Sequence, residues 1–169
     1  MNQNYLSISQ KNGLKKEFYK EGKLFEEYIS NLFNKEYFYR IKWRKSEKFS
    51  KLCEVSDPQY PDLEMELVFG RGRHKFAVEC KWRKDFINGK YPWARRDQIR
   101  AYRQFQSYKG IPVFVAIGIG GKPDSPEKLF LTPLDNIYMK QKLSESDLIP
   151  FERNPRQRFY YDYIQLALL

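Results

Sequence analysis

The sequence predicts an α/β domain in which helices flank a mixed central sheet, in the order αβββαβ. Three observations carry that expectation. An apolar stripe at helical spacing runs between Glu17 and Asn34, two alternating runs are joined by Gly70-Arg71-Gly72, and the continuous apolar run IPVFVAIGIGG follows a second helical pattern. A chain of 169 residues lies within the roughly 100–200 residues of one ordinary domain. A single domain over residues 1–169 is expected, with residues 1–14 as a loosely held arm, because their apolar positions are scattered.

In the first helix Phe25, Tyr28, Ile29, Leu32 and Phe33 recur at i, i+3, i+4, i+7 and i+8, one face of an amphipathic helix. Tyr37, Tyr39, Ile41 and Trp43 alternate with Phe38, Arg40 and Lys42, which reads as a strand, and a polar connector follows from Arg44 to about Gln59. Leu63, Met65, Leu67 and Phe69 share one face of the next strand, whose other face carries Asp62, Glu64, Glu66 and Val68. Beyond the Gly70–His74 turn, Phe76, Val78, Cys80 and Trp82 share one face and leave Ala77, Glu79 and Lys81 on the other. Glu79 and Lys81 therefore point the same way.

The run Trp93–Lys109 has helical spacing, with Ile99, Tyr102 and Phe105 on its inner face and Gly110 as its stop. IPVFVAIGIGG is bounded by turn signals, as a strand buried on both faces would be. KPDSPE is a loop, Lys128–Thr132 a further strand, and FYYDYIQLALL fits either a strand or a short helix.

Lys and Arg number 31 against 21 Asp and Glu, a formal charge of +10. A polyanion is the natural partner, because neutralising phosphates releases condensed counterions. DNA is the expected ligand. No apolar run approaches the roughly 18 residues of a membrane span, and no signal-peptide core opens the chain, so a cytoplasmic protein without a membrane partner is expected. Cys53 and Cys80 form no CxxC pair, and the lone His74 removes every mechanism that needs several histidines.

The order of elements brings Asp62, Glu79, Lys81 and Glu26 toward one another. Crowded carboxylates raise one another's pKa unless a cation lies between them, and a divalent metal is the simplest neutraliser. Mg2+, with Mn2+ as a substitute, suits Asp62, Glu79, Glu26, the Cys80 backbone carbonyl and a phosphate oxygen. Lys81 would then orient or help deprotonate the attacking water, or stabilise charge developing on phosphorus.

Pro61-Asp62, 16 intervening residues and then Glu79-Cys80-Lys81 resemble the PD-(D/E)xK nuclease superfamily, the restriction-endonuclease-like fold. GKLFEEY, Gly22–Tyr28, resembles the first-helix motif of Mrr-type enzymes and archaeal Holliday-junction resolvases, which implies that Glu26 approaches the metal. QIRAY, Gln98–Tyr102, is similar to the QxxxY helix of RecB-type nucleases, which implies that Gln98 helps hold the site and Tyr102 lies near DNA. The similarity spans roughly residues 20–135. Three departures mark the subfamilies: Mrr-type enzymes commonly carry Gln at the position of Glu79, one RecB-type branch needs four cysteines, and many RecB-type members carry an upstream histidine.

ExK by itself is weak, since Glu and Lys are common and the ordinary reading is a solvated strand edge. Context reverses that reading: the triplet follows an apolar run, stands at motif spacing after Pro-Asp, and lies between the two helices. Glu26 and Gln98 have ordinary readings as helix-surface polar residues, Tyr102 as core, and Glu64 and Glu66 as solvated or salt-bridged. His74 reads as a turn residue and Cys80 as core. Arg71, Arg73 and Lys75 surround the hairpin turn, whereas Lys81, Arg83, Lys84, Arg95, Arg96, Arg100 and Arg103 surround the site and the helix after it. These form the expected phosphate-binding track, with Trp82, Tyr91 and Trp93 available for sugar or base contacts.

The expected function is therefore a metal-dependent DNA endonuclease, with a metal-activated water attacking in line. Two alternatives stay open: a catalytically silent DNA-binding or assembly module, and a resolvase-like or mobile-element nuclease. A homodimer would let one site per chain cut both strands. The chain leaves little room for a recognition domain, so a targeting partner protein also stays open.

Overall fold

One strand of 12 residues, β3 (Gly72–Arg83), organises the sheet and outruns one of its neighbours. The computed structural model describes residues 8–41 and 60–169. The connector, Cys53, Lys42 and Trp43 lie outside them. Helix α1 covers Ile8–Asn31, so it starts well before Glu17 and takes in residues 8–14, expected to belong to the arm; residues 1–7 lie outside the description. After α1 come β1 (Phe38–Ile41), β2 (Leu63–Phe69), β3, β4 (Tyr91–Pro92), α2 (Arg96–Lys109), β5 (Val113–Ile119) and β6 (Lys128–Pro133). Short elements complete the chain: α3 (Leu134–Ile137), β7 (Lys142–Leu143), α4 (Glu145–Leu148), β8 (Glu152–Arg153), β9 (Tyr161–Asp162) and β10 (Ala167–Leu168).

The main sheet runs β1-β2-β3-β5-β6-β8. Its one parallel pair is β3 with β5, and the other neighbours are antiparallel. The sheet is mixed, as expected, because α2 is the crossover that returns the chain parallel to β3. The C-terminal run, which fitted strand or helix, forms the small β9–β10 hairpin.

Two hydrophobic layers cover the sheet. Phe25 and Ile29 of α1, with Phe33 just beyond its end, pack with Val78 and Cys80 of β3 and Phe114 and Ala116 of β5. Tyr102 and Phe105 of α2 pack on the other face with Ala77, Val115 and Ile117. The alternation along β3 and β5 sorts these sets, and β5 is buried throughout, as a strand covered on both faces must be. Gly118 lets α1 approach: an added Cβ would meet Phe25 Cε2 at 2.5 Å. Gly110 ends α2 at φ 63°, the left-handed cap that favours glycine.

Candidate active site

The register of β2 on β3 ends at Leu63 opposite Val78, yet β3 continues along β5 to Arg83. That leaves a notch on the β2 side of β3, and Asp62 stands at its corner. Its Oδ2 accepts the Cys80 N–H at 2.8 Å, in the place a strand partner would occupy. A residue in a strand directs its N–H and C=O to the same side, so the Cys80 carbonyl opens on this notch too.

Glu79 is 1% exposed on the α2 face. Tyr102 Oη donates to its Oε1 at 2.6 Å, Lys81 Nζ pairs with the same oxygen, and Oε2 is buried without a partner among the described residues. A buried carboxylate with one oxygen held twice and the other free is costly unless something comes to it. Glu26, 7% exposed, reaches the notch from α1 because it adjoins the buried Phe25. Lys23, one turn earlier, donates to both Glu26 oxygens at 2.9 and 2.7 Å, and Arg40 lies 3.9 Å away. Glu26, Asp62, Lys81 and Arg83 line one cleft of about 510 Å³.

The charges act on one another. Burial, and then the neighbouring Glu79, push the Asp62 carboxyl up to about 7. Glu26 is raised by burial and then by Asp62, with Lys23 opposing. For Lys81 burial disfavours the ammonium, but Glu79 and Asp62 outweigh it and hold its pKa above the ordinary value. The cleft therefore joins carboxylates that resist ionisation to an amine that resists deprotonation.

The structure brings Asp62, Glu79, Lys81, Glu26 and the Cys80 carbonyl together. Gln98 is set apart: its Oε1 caps α2 by accepting the Arg95 N–H at 3.0 Å, and it lines a neighbouring pocket with Arg83 and Arg95. Tyr102, expected near DNA, is 2% exposed and holds Glu79 instead, because its helix position faces the sheet. Tyr91 and Trp93, expected to be available for DNA, are buried in the α2-side layer. Half-buried Trp82 donates to the Gly120 carbonyl at 3.2 Å.

Glu64, expected to be solvated or bridged, is 4% exposed, because it pairs with Ala77 on the covered face. Glu66 is bridged to Arg73 at 3.6 Å, as expected. Arg71 and Arg73 sit at the opposite end of the hairpin, roughly 20 Å from Asp62 at strand rise, whereas Arg83, Lys84, Arg95 and Arg96 lie at the site end. One participant escaped the sequence reading. Lys23 was legible as an i, i+3 partner of Glu26. Tyr91, expected at sugar or base, lines the cleft with its hydroxyl buried and unpartnered among the described residues.

No protein-family model matches the sequence, and no curated protein matches it. Among solved structures it is similar to Hjc, a Holliday junction resolvase from the archaeal hyperthermophile Archaeoglobus fulgidus. The identity is 20% and the TM-score 0.52, over 79% of this chain and 90% of that chain. The mixed sheet, its flanking helices and this likeness together give the chain the restriction-endonuclease-like fold of that resolvase.

Proposed function

We propose that the protein is a metal-dependent endonuclease that hydrolyses DNA phosphodiesters in the notch beside β3. The observation that carries this reading is the Glu79 carboxylate: Tyr102 and Lys81 fix one oxygen, and the other is buried without a partner among the described residues, one residue from the Cys80 carbonyl and the Asp62 contact. Among the described residues no three His, Cys, Asp or Glu side chains form a ready ligand set. Mg2+ requires none, since it commonly binds through one or two carboxylates, keeps several waters and takes further oxygens from substrate phosphate. Asp62, Glu79 and the Cys80 carbonyl would hold it, with Glu26, here paired with Lys23, beside them.

A bound divalent cation would neutralise the carboxylates and supply a nucleophile at neutral pH. The chain's own residues do the rest. Asp62 and Glu79 would hold the cation that receives the scissile phosphate, Lys81 presents an ammonium to the charge that grows on its oxygens, and Tyr102 keeps Glu79 from rotating. Arg83, Lys84, Arg95 and Arg96 hold flanking phosphates; they fix register without reading bases.

A second reading, a DNA-binding module without catalysis, draws on the Lys81–Glu79 and Lys23–Glu26 ion pairs, which neutralise two of the carboxylates without a metal. One experiment separates the two. Supercoiled, linear, single-stranded and branched DNA are incubated with the protein in Mg2+ or Mn2+, beside calorimetric titration of the metal alone. Cleavage that stops with EDTA and with Lys81→Ala is the expected result. Salt-sensitive DNA binding with no metal uptake and no cleavage of any substrate would sink the nuclease reading and leave the binding module.

A further inference from the structure

A second groove, of about 840 Å³, lies on the outer face of α2. Arg96, Arg100 and Arg103 stand at i, i+4 and i+7 along one of its walls, so they share a helix face, and all are exposed. None has a carboxylate partner among the described residues. The facing wall differs in kind. Arg103 lies 4.1 Å over the centre of the Tyr138 ring, and Met139 beside it is 81% exposed. Gln104 also lines the groove, with its carbonyl oxygen buried and unpartnered among the described residues.

These features ask for a ligand that is anionic along one side and flat, apolar and hydrogen-bond-donating along the other. Duplex DNA presents its phosphates but keeps its bases stacked inside, so it would satisfy the arginines' charge and leave Met139 in solvent and the Gln104 oxygen without a donor. An unpaired strand presents phosphates and base faces together. Neighbouring pockets with shared lining residues lead toward the notch. Arg83 lines both the carboxylate cleft and an intermediate pocket, and Gln141 lines both that pocket and this groove.

We propose that the α2 groove binds an unpaired stretch of nucleic acid, stacking its bases on the Arg103 guanidinium that lies over Tyr138 and against Met139, continuous with the duplex whose phosphodiester enters the notch. The groove's binding stands on its own observations; only its place beside the cut rests on the nuclease reading. The test is fluorescence anisotropy in EDTA with a blunt duplex and with the same duplex carrying a thymidine tail of about 10 nucleotides, since thymine offers an imino N–H to Gln104. Wild type should bind the tailed duplex about 10-fold more tightly. Met139→Glu, an exposed substitution that leaves the core untouched, and Tyr138→Ala should both lose that advantage. Equal wild-type affinity for the two duplexes would overturn the proposal, as would a full tail advantage in both variants. Because no metal is present, a protein that never cuts DNA gives the same binding result, and a tail advantage without cleavage in Mg2+ removes the nuclease reading alone.

Discussion

The two ends of the β2–β3 hairpin carry the same kinds of side chain and put them to opposite use. At the turn, Arg73 meets Glu66 at 3.6 Å in an ion pair whose arginine is largely in solvent, where such pairs contribute little. At the other end Asp62, Glu79 and Lys81 are drawn out of water together, and burial raises the Asp62 carboxyl to about 7. Residue types are nearly shared; at the turn, however, only the carboxylate is buried and its cation stays in solvent. The difference arises because β3 outruns β2, so the site end has a strand edge to fill while the turn end closes on itself.

The comparison breaks first in cleavage. Lys81→Ala and Glu79→Gln should each lower the cleavage rate by about 10²–10³-fold or more, whereas Arg73→Ala and Glu66→Gln at the turn should change it less than about 3-fold. Single-turnover rates on one plasmid substrate decide this. Equal losses at both ends would remove the distinction between them.

Tyr102→Phe sharpens the same contrast through one hydroxyl. It leaves the α2 packing in place but strips the buried Glu79 of a 2.6 Å hydrogen bond, so urea unfolding should show a loss of about 1–3 kcal/mol. Cleavage should fall with it while DNA affinity in EDTA holds, because Tyr102 is inaccessible to DNA. An unchanged rate would mean that Glu79 needs no holding.

Asp62→Asn should move stability the other way. In the metal-free protein the Asp62 pKa lies near 7 against an ordinary 3.8. Below about 4 the group is neutral in both folded and unfolded states, and between about 4 and 7 the unfolded chain releases a proton that the folded protein keeps. Stability therefore falls as pH rises through that window. Asparagine keeps an acceptor for the Cys80 N–H and carries no charge, so Asp62→Asn should be more stable by about 1–3 kcal/mol at pH 8 in EDTA, and flatter between pH 5 and 8. A variant less stable than wild type at pH 8 would contradict the buried-charge account. The smallest effect is reserved for the turn, where Arg73→Ala should cost about 1 kcal/mol, since the arginine is in solvent but its Glu66 partner is buried.

The legible part of the site was what alternation and helical spacing decide. Period two on β3 put Glu79 and Lys81 on one face and Cys80 on the other, and period 3.6 on α1 set Glu26 against the buried stripe. Those rules are local, and burial follows them. Gln98 and Tyr102 show where the rules stop. Both lie on α2 at correct helical positions, but whether a polar atom serves a cap, a carboxylate or DNA depends on which partner lies across the gap. Here Gln98 serves the helix end and Tyr102 serves Glu79.

By itself the sequence determined the αβββαβ order of the main elements, the mixed sheet, the basic composition and the shared face of Glu79 and Lys81, because periodicity and composition are properties of the chain. Only the tertiary structure decided the notch. The offset between β2 and β3, the Asp62 carboxylate standing in for a strand partner, the free Glu79 oxygen and the arginine-lined groove behind α2 all depend on register and on contacts between residues distant in sequence. No local pattern encodes where one strand ends against another.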